Sequence, residues 1–201
     1  MKKIGEGWQY TVYDLDNGRV LKKFHSPLWS YWTILKTIFP FNNDSLTSIP
    51  RYSREMKKKA LDSFDILRKA KIPTEWLGQP SFVNKLDFEQ DKVRPLHDVF
   101  SIVTIEESKQ IIDKFILFNK QLLERGLIDK SFNVTKNYGL DEKGEIVLID
   151  IGELFVGEER IRQQCLDRTW AKDYVAGCIE NEEVREYFIQ QMDFNFLSHL
   201  K

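Results

Sequence analysis

The chain has 201 residues, 42% of them hydrophobic, which is enough to bury a core as one domain or two small lobes and excludes a disordered tail. With 30 basic against 31 acidic residues the formal net charge is -1, so no global field points to nucleic acid or an acidic membrane surface, and a partner must be recognised locally. Only Cys165 and Cys178 are cysteines, the three histidines stand singly, and a structural metal is not expected.

Met1-Lys2-Lys3-Ile4-Gly5 runs straight into a glycine-rich turn without the apolar stretch of a signal peptide, which makes the cytoplasm the expected compartment. Strands are predicted over Met1 to Ile4, Gln9 to Tyr13 and Arg19 to Phe24. Asp16-Asn17-Gly18 marks a hairpin turn whose Asn-Gly pair is expected at positive φ. The next segment, Pro27 to Phe41, is rich in aromatics but broken by Lys36 and Pro40, and it is too short to span a bilayer, which needs about 20 apolar residues. It is expected to pack as an extra helix, the other option being an exposed patch for a partner or a peripheral membrane contact.

Met56, Ala60, Phe64 and Leu67 recur at helical spacing, predicting a helix from Ser53 to Ala70 that ends before Pro73. Two weaker strands are expected within Glu75 to Val93, and Arg94-Pro95 is the natural joint between an N-terminal part, 1–95, and a C-terminal part, 96–201. A second helix opens on the capping box Thr104-x-x-Glu107, buries Ile111, Ile112, Phe115, Ile116, Leu122 and Leu123, and closes at Gly126. A short strand follows from Glu145 to Asp150, then helices around Arg160 to Ile179 and Glu182 to Met192.

The residues with chemical meaning are spread along the whole chain. Gly5 and Gly7 lie in a turn between two strands, where bare backbone N–H groups can approach phosphate oxygens. Val20 and Lys22 share one face of the third predicted strand. Glu55, beside the buried Met56, is the carboxylate placed to hold Lys22. Asn137 and Asp150 flank a glycine-containing turn and an apolar strand, and Asp150-Ile151-Gly152 sets a hard oxygen ligand at a strand end, suited to a cation bridging phosphates.

In this order the motifs resemble the protein-kinase-like superfamily. Gly5-x-Gly7-x-x-Tyr10-x-Val12 is similar to the family's glycine loop with Tyr10 at the last glycine, and Val20-Leu21-Lys22 is similar to its V-A-I-K strand. Asn137 and Asp150-Ile151-Gly152 are similar to the Mg²⁺-binding asparagine and the Asp-Phe-Gly triplet. The resemblance implies an α+β, two-lobed fold with a small antiparallel sheet in the first lobe and a truncated helical second lobe. It implies ATP and Mg²⁺ as cofactors: Gly5, Gly7, Val12, Val20, Lys22 and Glu55 on the nucleotide, Asn137 and Asp150 on the metal. Small bacterial kinase-like proteins of the PhoP-regulatory-network type show the greatest likeness.

Two departures limit what the resemblance implies. Phe132 stands where the family's catalytic aspartate belongs, five residues before Asn137. Asp129 reaches the site only through a bulged loop, and a turn or cap role after the Gly126 helix stop is the preferred reading. No A-P-E-like segment follows Gly152, so the surface on which large kinases hold a protein substrate is missing. Three functions stay open: an ATP-dependent phosphotransferase with Lys22, Asp150 and Asp129 in catalytic roles, a pseudokinase that presents a surface to a protein partner, and a transferase of AMP instead of phosphate.

Overall fold

The protein, seen in a computed structural model, is described over residues 1–7, 9–26, 29, 43–152 and 154–197, with the backbone alone for 43–53. Apart from Trp29, the aromatic segment from Pro27 to Phe41 lies outside the described residues, and neither expectation for its packing is met or refused. The chain opens with three antiparallel strands, β1 (Lys2–Glu6), β2 (Tyr10–Asp14) and β3 (Arg19–Phe24). The turn between β2 and β3 differs from the expectation: Asp16 and Gly18, not Asn17, take positive φ, and Asn17 turns its side-chain oxygen to the Arg19 N–H.

Helix α1 spans Asn43–Ala70, ten residues earlier than the apolar spacing predicts, and passes through Pro50. Among its described side chains Met56, Ala60, Phe64 and Leu67 are each under 9% exposed and form the buried stripe that the spacing predicts. A 3₁₀ turn over Thr74–Leu77 follows, then β4 (Ser81–Phe82) and β5 (Phe88–Asp91), which complete a five-stranded antiparallel sheet in the order β1-β2-β3-β5-β4. Phe64 of α1 meets Phe88 and Phe82 edge-on, sealing helix to sheet.

Arg94–Pro95 forms a two-residue strand, β6, that leads into α2 (Leu96–Phe100). Helix α3 (Ile105–Glu124) starts on the capping box Thr104–Glu107, and Gly126 behind it takes φ +72°. Next come β7 (Leu127–Asp129), α4 (Val134–Asn137), β8 (Tyr138–Leu140) and β9 (Ile146–Leu148). β6, β8 and β9 form a second small sheet, in which a Cβ at Gly139 would fall 2.8 Å from the Arg94 carbonyl, so only glycine lets the crossing strand approach.

Strand β10 (Leu154–Val156) pairs antiparallel with β7, and α5 (Glu158–Leu166) begins two residues later. The helix expected from Arg160 to Ile179 is broken: Arg168 at φ +45° ends it, and the chain continues through a 3₁₀ turn over Thr169–Ala171 into α6 (Asp173–Ala176). Helix α7 (Glu182–Met192) runs into a π turn over Asp193–Leu197. The arrangement is α+β, with the five-stranded sheet built before residue 92 and most helices after it. The helical part is held by Phe115, Leu122, Tyr138, Trp170 and Phe188, all fully buried; each such side chain contributes about 2–3 kcal/mol by leaving water.

Among the described residues, side-chain bonds from Gln90, Ser63 and Lys22 tie the sheet and α1 to the helical part. Gln90 Nε2 on β5 donates to the carbonyls of Leu77, at 2.6 Å, and Leu148, at 3.2 Å. Ser63 on α1 accepts the Leu154 N–H at 3.2 Å. The bond made by Lys22 belongs to the site.

Candidate functional site

The glycine-rich turn is narrow and pinned from below. The Gly7 N–H donates to the Tyr10 carbonyl at 2.8 Å, and the His25 N–H donates to the Gln9 carbonyl at 2.9 Å. His25 Nε2–H donates to the Gly7 carbonyl at 2.9 Å, leaving Nδ1 to accept from Thr11 Oγ1. Burial holds the His25 pKa below its usual value, against the pull of the Gly7 carbonyl, which favours this neutral ring. Trp29 stacks on its face.

Cross-strand register sets the rest of this wall. Gly5 faces Val12, Val12 faces Lys22, and Lys22 faces Phe88, one row across four strands; Val20 opposite Gln90 belongs to the next row on the same face. The structure therefore gathers Gly5, Val12, Val20 and Lys22 on one sheet face. Gly5 is half-buried, Gly7 exposed.

Lys22 points away from the sheet and donates its ammonium to the carbonyl of Ile149, the residue before Asp150. The side chain is half-buried but its amine is enclosed, and desolvation lowers the pKa to about 8, opposed by the negative charge of Asp150. Glu55 is exposed on α1, well inside the helix, and is not among the groups acting on the Lys22 charge. The carboxylate whose charge acts on Lys22 is that of Asp150, 128 positions along the chain.

Across from this wall the Asn137 side chain organises a second cluster. Its Nδ2 donates to Asp129 Oδ1, Asp129 Oδ2 and Ser131 Oγ, each at 3.1 Å, while the main-chain carbonyl of Asn137 accepts the N–H groups of Ile149 and Asp150. With the amide hydrogens so committed, Asn137 Oδ1 is the acceptor left for another group. Asp129 is not a cap or turn residue: it ends β7 opposite Leu154 and is wholly buried, its carbonyl accepting from Gln164 Nε2 at 2.8 Å. The stretch from Asp129 to Asn137 is a four-residue loop, 130–133, with Phe132 at φ +49°, followed by α4, which brings the Asn137 side chain back onto Asp129.

Phe132 is fully buried, edge-on to Trp170 at 5.6 Å and against Phe196 at 5.4 Å. It anchors the loop in the core and faces no cleft. Tyr138, next to Asn137, donates its hydroxyl to Asn119 at 2.9 Å; burial raises its pKa well above the ordinary value, with the Asp129 charge adding to the rise.

Asp150 is half-buried and its Oδ1 accepts the Gly152 N–H at 3.2 Å, so the Asp-Ile-Gly turn is closed on itself while Ile151 is buried. Three residues missed by the sequence reading belong here, Gln9, Ser131 and Gln164, and Tyr10, expected only to stand at the last glycine of the loop, is buried beside them. Gln9 and Tyr10 are 8% and 7% exposed, and Gln9 Oε1 and Tyr10 Oη have no hydrogen-bond partner among the described residues. Desolvation raises the Tyr10 pKa, and the charge of Asp150 raises it further. A polar residue in a glycine-rich turn gives no sequence signal of pointing inward, and Gln164 lies 35 positions from the loop it supports.

Among the described residues no group of three or more His, Cys, Asp and Glu is placed to hold a metal; a cation shared with a phosphate ligand needs fewer protein donors than that. The donors that fit are hard oxygens: the Asp150 carboxylate, Asn137 Oδ1 and the orphaned Gln9 Oε1. Among the described residues no helix is long and apolar enough to cross a membrane.

No family model matches the chain, and no curated protein matches it. Among solved structures, one of a complex of Rv3197 with erythromycin from Mycobacterium tuberculosis is similar over 89% of this chain, at 15% identity and a TM-score of 0.49. This chain spans 53% of that protein's length. A likeness of that size carries no argument about activity.

Proposed function

We propose that the chain is a kinase-like protein that binds ATP with Mg²⁺ and transfers phosphate to a hydroxyl acceptor. The observation that supports this reading best is the convergence of Lys22, Asn137 and Asp150. An enclosed cation on the sheet meets the main chain beside Asp150, and the Asp150 backbone is bonded to Asn137, although the three lie far apart in sequence. A cation on one wall and hard oxygens on the other suit a phosphate chain bridged by a divalent metal.

In this reading Val12 and Val20 cover the base, the glycine-rich turn and Lys22 hold the phosphates, and Asn137 Oδ1 with Asp150 holds the metal. Bound ATP supplies the phosphoryl group. The acceptor oxygen forms a bond to the γ-phosphorus as the bond to the leaving ADP oxygen breaks, and the acceptor's proton passes to the Asp129 carboxylate, which Asn137 keeps oriented.

A second reading, a pseudokinase that binds nucleotide and acts on a protein partner, is favoured by one observation. Asp129 is 0% exposed, so it serves a substrate only after the loop uncovers it. Nothing on the site favours AMP transfer.

The test is a thermal-shift titration with ATP and Mg²⁺ on the wild type, Lys22→Ala and Asp150→Asn, followed by a turnover assay with Asp129→Asn. A metal-dependent shift lost in both variants supports the nucleotide site, because a ligand that binds only the native state raises its stability. Turnover that Asp129→Asn abolishes selects transfer, and a shift without turnover selects the binding module. No shift in a folded wild type refutes the proposal.

A further inference from the structure

The glycine-rich turn carries a side chain that its backbone role does not require. Gln9 sits at the tip, its carbonyl fixed by the His25 N–H, and its carboxamide is folded under the turn with 8% of the residue exposed. The side chain lies against Gly152: a Cβ built there would collide with Gln9 Oε1 and lie 3.4 Å from Asp150 Oδ1. The carboxamide oxygen and the Asp150 carboxylate therefore flank the same small volume. Gln9 Oε1 has no hydrogen-bond donor among the described residues. A buried acceptor left unpaired is costly, and the group that would relieve it must be a donor or a cation.

The surroundings decide between those. Asp150 brings a carboxylate to this point, and Asn137, whose Nδ2 is committed to Asp129 and Ser131, has only its oxygen left to offer. The Gln9 carboxamide oxygen and the Asp150 carboxylate around one volume match a small hard cation that keeps part of its water shell, since Mg²⁺ binds few protein oxygens and dehydrates reluctantly. Glycine at 152 is what leaves room for Gln9 to reach it.

We infer that Gln9 belongs to the divalent-cation site, its Oε1 meeting the ion or one of the ion's waters from the glycine-rich turn while Asp150 and Asn137 meet it from the opposite wall. This rests on the nucleotide reading of the site but is separable from it. A cation there would add a link between the turn and the Asp-Ile-Gly segment, which already lie side by side.

The test measures Mn²⁺ binding by electron paramagnetic resonance with ADP present, beside the thermal shift produced by ADP in EDTA, for the wild type, Gln9→Ala, Gln9→Glu and Asp150→Asn. Gln9→Ala is expected to weaken Mn²⁺ about tenfold, the usual loss when an outer-shell partner is removed, while leaving the metal-free ADP shift unchanged. Gln9→Glu, which keeps an oxygen and adds charge, is expected to restore or exceed wild-type metal affinity. Unchanged Mn²⁺ affinity in Gln9→Ala, equal loss of metal-free and metal-loaded binding, or no Mn²⁺ binding by the wild type would each overturn the inference. The metal-free ADP shift of the wild type reports separately on the nucleotide reading.

Discussion

The two walls of the site are finished to different degrees. Around Asp129 and Asn137 nearly every buried polar group is spoken for: Asn137 bonds Asp129, Ser131 and two backbone amides, Tyr138 bonds Asn119, and Gln164 Oε1 is the one buried side-chain oxygen there without a partner among the described residues. On the sheet, Gln9 Oε1 and Tyr10 Oη are buried without partners, and Lys22 is desolvated to the point that its pKa falls to about 8. One wall is built by folding alone. The other stores unfavourable desolvation that an anionic, metal-bearing ligand would relieve.

That contrast can be broken first at its most rigid point. Phe132→Ala removes a fully buried ring packed on Trp170 and Phe196 and is expected to cost about 3–5 kcal/mol in chemical denaturation. A loss under about 1 kcal/mol would show that the loop is not anchored there. Asn137→Ala takes two hydrogen bonds from the buried Asp129 carboxylate and is expected to cost about 2 kcal/mol by the same measurement.

Lys22 sharpens the comparison through pH. Because its folded pKa lies below the ordinary 10.5, the unfolded chain binds the extra proton between about pH 8 and 10.5, and wild-type stability rises through that window. Lys22→Met lacks this rise, and near pH 7 it is expected to match or exceed the wild type by about 1 kcal/mol, a figure reduced for the part of the side chain that water reaches. Denaturation midpoints at pH 7, 8.5 and 10 measure the difference. The smallest effect is expected for Glu55→Gln, which should leave ATP affinity within about twofold, since the exposed Glu55 does not act on Lys22. A loss comparable to that of Asp150→Asn would return Glu55 to the site.

Much of this architecture is legible because it is local. Thr104 and Glu107 announce α3, Arg19 to Phe24 alternates as β3 does, and Asp150-Ile151-Gly152 marks a strand end by its own chemistry. What could not be read depends on distant residues. Asp129 looks like a turn residue until β7 is paired with β10, 25 positions on, and Phe132 looks like a lost aspartate until Trp170 and Phe196 close over it. Pro50 argues against a helix there, yet α1 passes through it. Glu55 was favoured by its place beside Met56, but one step around a helix turns a side chain about 100° away from its neighbour's face.

The central claim is that Lys22 and Asp150 face a shared anionic ligand, and the most direct measurement is the Lys22 pKa followed by NMR on lysine-labelled protein, with and without ATP and Mg²⁺. The account predicts a value near 8 in the free protein, rising by more than one unit when the nucleotide binds, because a phosphate beside the amine favours its charged form. A Lys22 pKa that does not move at saturating ATP and Mg²⁺ would contradict it.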